Sequence, residues 1–405
     1  MHSPVLFVCM PERSHLHRML PLIEGMIDCQ RPVVVLTDPN FRITVERIGA
    51  RFLNLFEYGT IESADSTSIP VPSRYVTFAA SFAKELTRRI APLKPELVIY
   101  DTFAVIAPLI ARALGIPYLN FCAGHALIPS QRIAELHSDP RIDTSEACLG
   151  AVQILSSDYG LLNASPFSYV DNLSPHLNIY GEPPQFLLPE HQAALAPLAF
   201  FGSLPSASRL SVSGINPFAG SSEALKVYVS FGTVTWKYYQ DQALAALRVI
   251  TRIFSELESH VVVSLGERGI SPQTLSELKL PNVSLHGFVD QWTALRHANA
   301  FITHHGLNST HEAIFHGVPM LSYPFFDDQP CLARRCQELG LAVPLCNSPR
   351  SPIEPEVLCR ALDSLHLKKS QFDARLSEAR IWELETIKRR PAVIDRILAC
   401  SLERF

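Results

Sequence analysis

Short apolar, β-branched runs alternate in this chain with amphipathic segments at helical spacing, and the alternation occurs twice. Val5–Met10 reads as a buried strand, after which Leu16, Leu20, Ile23 and Met26/Ile27 recur with helical periodicity. Val33–Leu36 is a second run, closed by the turn Asp38-Pro39-Asn40. Leu97–Tyr100 follows, then a helix of small residues over Val105–Leu114, a stop at Gly115-Ile116-Pro117 and a strand at Tyr118–Phe121. This rhythm predicts βαβ units and a parallel sheet. From about 123 to 200 the pattern is lost, and long helices with proline breaks are the expectation there. The rhythm restarts at Val227–Phe231, with a helix over Gln240–Glu258 and strands at Val261–Leu265, Val283–Leu285, Ala300–Thr303 and Met320–Tyr323. A helix from about Ser309 to His316 sits between the last two.

The halves are therefore expected as two doubly wound α/β domains, over 1–205 and 223–380. The stretch Gly202–Ser222, rich in Ser, Gly and Pro, suits a linker, drawn at 206–222. A charged amphipathic helix over 368–390 is expected to break at Pro391, with Lys388-Arg389-Arg390 as a solvated helix end. Residues 381–405 are expected as helices that return to the first domain.

Composition narrows the classes of function. With 35 Lys and Arg against 39 Asp and Glu, a net charge of −4 and 47% hydrophobic residues, the 405-residue chain carries no polybasic footprint for nucleic acid. Nine scattered cysteines with no C-x-x-C pair do not read as a disulfide framework. No apolar stretch approaches the ~18–20 residues of a membrane span. The expectation is a cytoplasmic protein, monomeric or homodimeric, with reduced thiols.

In open parallel sheets, ligands bind at the carboxyl ends of strands. After the first strand the loop Pro11-Glu12-Arg13-Ser14-His15 leads into a helix, and after Leu97–Tyr100 comes Asp101. A His and an Asp at two strand ends of one sheet suit a general base with its orienting carboxylate, although an Asp there can equally cap the next helix. In the second half, Phe301-Ile302-Thr303-His304-His305-Gly306-Leu307-Asn308-Ser309-Thr310-His311-Glu312 runs from strand through a glycine turn into a helix. A helix opening there suits a phosphate or diphosphate; the same polar residues are also what any N-cap requires. Gly232-Thr233 ends a neighbouring strand. His311 and His316 are five residues apart, not the four of a zinc-binding helix, and there is no G-x-G-x-x-G or G-x-S-x-G.

Gly287-Phe288-Val289-Asp290-Gln291, the Thr303–Glu312 segment, Gly317-Val318-Pro319 and Pro324-Phe325-Phe326-Asp327-Asp328-Gln329 together resemble the donor-binding signature of UDP-glycosyltransferases. The bacterial natural-product, macrolide-type branch of glycosyltransferase family 1 is the nearest likeness. The resemblance implies an α/β GT-B fold: two facing Rossmann-like domains with an interdomain cleft, the acceptor on the first and the nucleotide sugar on the second. It implies a stacking role for Phe288 beside Val289, base or ribose contact for Gln291, and diphosphate contacts for His304, Gly306, Asn308, Ser309, Thr310 and Thr233. It also implies ribose binding by Glu312, sugar reading by Asp328 and Gln329, and a catalytic pair His15 and Asp101. The family's Gly-His-x-x-Pro loop reads Ser14-His15-Leu16-His17-Arg18 here, which leaves His17 as a rival base on a different helix face. The expected activity is inverting transfer of a hexose from a UDP- or dTDP-sugar to a hydroxyl of a small apolar or aromatic acceptor, with no cofactor and no metal. A non-catalytic homologue acting as a binding partner, or a C- or N-glycosylating variant, is the alternative.

Overall fold

The computed structural model describes residues 2–122, 124–126, 128–205, 214–220, 224–266 and 270–401. It divides into two compact units: Met1–Ser206 with Thr386–Phe405, and Ala207–Glu385.

The first unit is built on seven strands: β1 (Val5–Val8), β2 (Val33–Thr37), β3 (Arg51–Asn54), β4 (Leu97–Asp101), β5 (Tyr118–Phe121), β6 (Asn178–Tyr180) and β7 (Leu198–Phe200). Their order is β3-β2-β1-β4-β5-β6-β7, and every pairing is parallel. Val5 pairs with both Val33 and Leu97, so β1 is an interior strand. Residues alternate between two cores. Leu6, Val8, Val34, Leu36, Val98 and Tyr100 line one face; Val5, Phe7, Val33, Val35, Leu97 and Ile99 line the other. A sheet covered on both faces explains why these strands are continuously apolar.

The second unit repeats the plan with β8 (Leu225–Ser230), β9 (Ser259–Ser264), β10 (Val283–His286), β11 (Ala300–Thr303), β12 (Met320–Ser322) and β13 (Ala342–Pro344), all parallel, in the order β10-β9-β8-β11-β12-β13. In each sheet the strand order reverses beside the first strand of the unit, between β1 and β4 and between β8 and β11. Such reversal points open a crevice at the strands' carboxyl ends.

Several expectations are corrected. The described residues of 123–200 hold three helices, Pro129–Ser138, Glu146–Ser157 and the short Pro189–Ala194, but also the two outer strands β6 and β7. The linker expected at 206–222 lies largely outside the described residues. Its described part, 214–220, is packed onto the second unit: Gly214 N–H donates to Thr293 Oγ1 at 2.7 Å and Phe218 is buried against the His260 ring. The expected break at Pro391 does not occur, because one helix runs Lys369–Cys400. Nor is Arg390 solvated. It is buried and donates to the carbonyls of Phe201 (2.9 Å), Gly202 (3.4 Å), Leu204 (2.7 Å) and Pro205 (3.3 Å), while Lys388 and Arg389 stay exposed. An interior proline costs a helix about 3 kcal/mol. Burying Ile394 and Ile397 in the first unit's core offsets it at about 1.5–3 kcal/mol each.

Candidate active site

The β1 and β4 ends bring His15 and Asp101 together. His15 opens the helix Arg13–Asp28, and its Nδ1 lies 3.3 Å from Asp101 Oδ1. Asp101 is fixed by two backbone donors, Met10 N–H at 2.7 Å and Phe103 N–H at 2.9 Å. Burial pushes the Asp101 carboxyl up, but the hydrogen bond and charge of His15, with these N–H groups, outweigh it and hold it below the usual range. An ionised Asp101 facing Nδ1 selects the tautomer that leaves Nε2 as the basic nitrogen. The 3.3 Å separation is long, as such bonds often are before substrate tightens them. The ring of Phe103 packs on His15 at 5.0 Å, and Tyr75 and Tyr169 pack in turn on Phe103. The rival His17 points to solvent.

Glu12, Tyr75 and Phe103 are absent from the site as read from sequence. Glu12 stands at the N-cap of the His15 helix without capping it; instead its carboxylate accepts from the Tyr75 hydroxyl. The signal that could have found it is spacing, since N-cap and N3 side chains are neighbours. A second buried His–carboxylate pair, His125 Nδ1 to Glu182 Oε2 at 2.8 Å, ties the segments after β5 and β6. Sequence reasoning also missed that pair.

In the second unit, the reversal point between β8 and β11 holds His304 in a nest of two glycines. A Cβ on Gly232 or Gly306 would fall 2.5 or 2.4 Å from His304 Nε2, so both positions need the missing side chain. Gly232 also has φ +73°, the left-handed region that favours glycine. Burial pushes His304 down to about 4, making it a neutral imidazole at physiological pH. Beside it the helix Leu307–His316 starts at Gly306 with no side-chain cap and no acidic residue in its first turn. Its N-terminus therefore presents backbone N–H groups and a positive dipole end, the arrangement that suits an anion.

Gln291 Nε2 donates to Glu312 Oε2 at 2.7 Å and to Ser309 Oγ at 3.1 Å, joining three of the expected donor-binding residues. Burial raises Glu312 to about 7, with Asp290 adding to the rise and the Gln291 hydrogen bond opposing it. Val289 is buried, while Phe288 is 59% exposed. Thr233 is exposed and Asn308 and Asp328 are half-buried.

Two expected contacts are corrected. Thr310 is turned into the core, where His305 Nδ1 lies 3.2 Å from its hydroxyl, so its side chain does not line the helix opening. Gln329 spends its side-chain carbonyl on the N–H groups of Phe325 (2.9 Å) and Phe326 (3.3 Å), which leaves only its amide nitrogen for a ligand. His311 is likewise buried and paired, its Nδ1 2.5 Å from Glu383 Oε1.

Residues 198–354 match the family model described as UDP-glucoronosyl and UDP-glucosyl transferase. NDP-glycosyltransferase YjiC of Bacillus licheniformis is 25% identical over 352 residues, 84% of each chain. YjiC of Bacillus subtilis is 24% identical over 96% of this chain and 98% of its own. Among solved structures, the glycotransferase of kitacinnamycin aligns with a TM-score of 0.79 at 22% identity, covering 98% of this chain and 100% of that one, a likeness of fold. The fold is GT-B, residues 198–354 carry the likeness to the UDP-glycosyltransferases, and the relatives that span most of the chain support a nucleotide-sugar-dependent transferase.

Proposed function

We propose that the protein transfers a hexose, with inversion, from a UDP- or dTDP-sugar to a hydroxyl of a small apolar or aromatic natural-product acceptor, using His15 as general base. The observation that carries this reading is the His15–Asp101 pair, with Asp101 held ionised by His15 and two backbone donors. The aromatic rings of Phe103, Tyr75 and Tyr169 around that pair support an apolar or aromatic acceptor on the first unit.

His15 Nε2 takes the acceptor's hydroxyl proton while the oxygen attacks the anomeric carbon. The bond from that carbon to the diphosphate breaks, and the nucleoside diphosphate leaves with its electron pair. Asp101 stabilises the imidazolium that forms. The leaving charge is met by the uncapped N-terminus of the Leu307–His316 helix and by His304 as a neutral hydrogen-bond donor. Phe288 stacks on the base, and Gln291 and Glu312 take the ribose hydroxyls. Fixed dipoles aimed at the developing charge perform the role a divalent metal has in other transferases, so transfer proceeds in excess chelator.

The test is a transfer assay with UDP- and dTDP-sugars and an unactivated alcohol, with the product's anomeric configuration read by NMR. His15→Ala is expected to lose at least ~10²-fold in turnover, the usual scale of base catalysis, and the product to be the inverted anomer. Turnover near wild type in that variant, or a retained anomer, contradicts the reading.

A further inference from the structure

The surroundings of His15 contain a second carboxylate that the reaction as described does not use. Glu12 is the N-cap and His15 the third residue of one helix, and the His15 backbone N–H donates to the Glu12 carbonyl at 3.0 Å. This is the N-cap to N3 spacing of a capping box, which puts the two residues in one helical turn. Glu12 caps nothing, however. One carboxylate oxygen accepts from the Tyr75 hydroxyl, and the other is shielded from solvent with no hydrogen-bond partner among the described residues. An unmet buried acceptor of this kind is unfavourable, and next to the proposed base it calls for a reason.

We propose that Glu12 is the second station of the proton: His15 takes it from the acceptor and hands it to the unpartnered oxygen of Glu12, which keeps it until the glycoside departs. This rests on His15 being the base, as proposed above. The acceptor O–H bond breaks and the proton passes to His15 Nε2. The imidazolium then gives it to the Glu12 carboxylate, which becomes a carboxylic acid, and His15 returns to the neutral form. After product release the carboxyl loses the proton to solvent. The two carboxylates beside His15 are pushed in opposite directions, which suits a division of labour. Asp101 is held below its usual range and stays an anion. Burial pushes Glu12 up, against the pull of His15 and of the Tyr75 hydroxyl. The groups facing Glu12 are His15 on its own helix, Cys9 just after β1, Asp101 at the end of β4 and Tyr75 from the helix Ser73–Ile90.

The experiment compares wild type, Glu12→Gln and Tyr75→Phe with two acceptors: benzyl alcohol, whose proton must be removed, and 4-nitrophenol, already ionised in mild alkali. Thermal melting of each variant establishes that it is folded. Glu12→Gln is expected to lose about tenfold in kcat with the alcohol, and several-fold less with the nitrophenolate, because no proton has to be stored there. The pH profile supplies a second readout. If both His15 and Glu12 must be unprotonated, log kcat/KM for the alcohol falls with a limiting slope of about 2 in acid, and of about 1 in Glu12→Gln. Tyr75→Phe, which frees the other oxygen, is expected to keep the steeper slope. Equal losses with both acceptors, or a slope that Glu12→Gln leaves unaltered, overturns the relay while leaving His15 as base. A wild-type protein that transfers to neither acceptor from UDP- or dTDP-glucose removes the functional reading, and the relay with it.

Discussion

At the scale of single residues, burial sets the protonation of two of the expected donor-binding residues. His304 is pushed down to about 4 and is neutral near pH 7, whereas Glu312 is pushed up to about 7 and changes charge there. For Glu312 the sign is as follows. Its folded pKa lies above the unfolded value, so between about pH 4.5 and 7 the folded state binds more protons, and stability falls as pH rises through 7. Ribose hydroxyls, by contrast, donate best to the ionised carboxylate. UDP affinity is therefore expected to strengthen from pH 6 to pH 8 in the wild type. Calorimetric titration across that range checks it: Glu312→Gln should bind more weakly with a flat pH dependence, and melt higher than wild type at pH 8 but not at pH 5. A pH dependence that survives the substitution contradicts the assignment. The residue types of this half were legible because a strand, a glycine turn and a helix opening follow one another in sequence. The inward turn of Thr310 and the commitment of the Gln329 carbonyl were not, because each depends on a partner, His305 or the 325–326 backbone, whose direction no spacing rule gives.

Elements divide by what determines them. The central strands were legible because a strand covered on both faces must be continuously apolar, as in Val33–Leu36 and Leu97–Tyr100. β6 was not, because Asn178-Ile179-Tyr180 opens with a residue that reads as a turn former. Asn178 is a strand residue through its neighbours: its side chain accepts from Asn120 Nδ2 at 3.1 Å and donates to the carbonyls of Ser174 and Leu195 at 3.0 Å each. The long C-terminal helix shows the same override. Local propensity breaks it at Pro391, but Arg390 and the apolar residues after it are committed to the first unit. Arg390→Met keeps the stem and strands four carbonyls, and is expected to destabilise by about 2–4 kcal/mol. Urea unfolding followed by circular dichroism measures this; a change below about 0.5 kcal/mol would show the guanidinium to be incidental.

For the whole molecule, one topology is used twice, and the expected site residues divide between its two copies. In each unit the strand order reverses beside the first strand, and the expected functional histidine, His15 or His304, sits at that reversal. No helix among the described residues is long and apolar enough to cross a membrane. The central claim is that His15 and Asp101 act as one base, and a double-mutant cycle on transfer to an unactivated alcohol tests it most directly. Residues that act as a unit are non-additive. His15→Ala and Asp101→Asn should each lower kcat by about 10²-fold or more, and the double variant should fall within about threefold of His15→Ala alone. Losses that multiply in the double variant, with both proteins folded by thermal melting, would mean that the two residues work separately and that the base lies elsewhere.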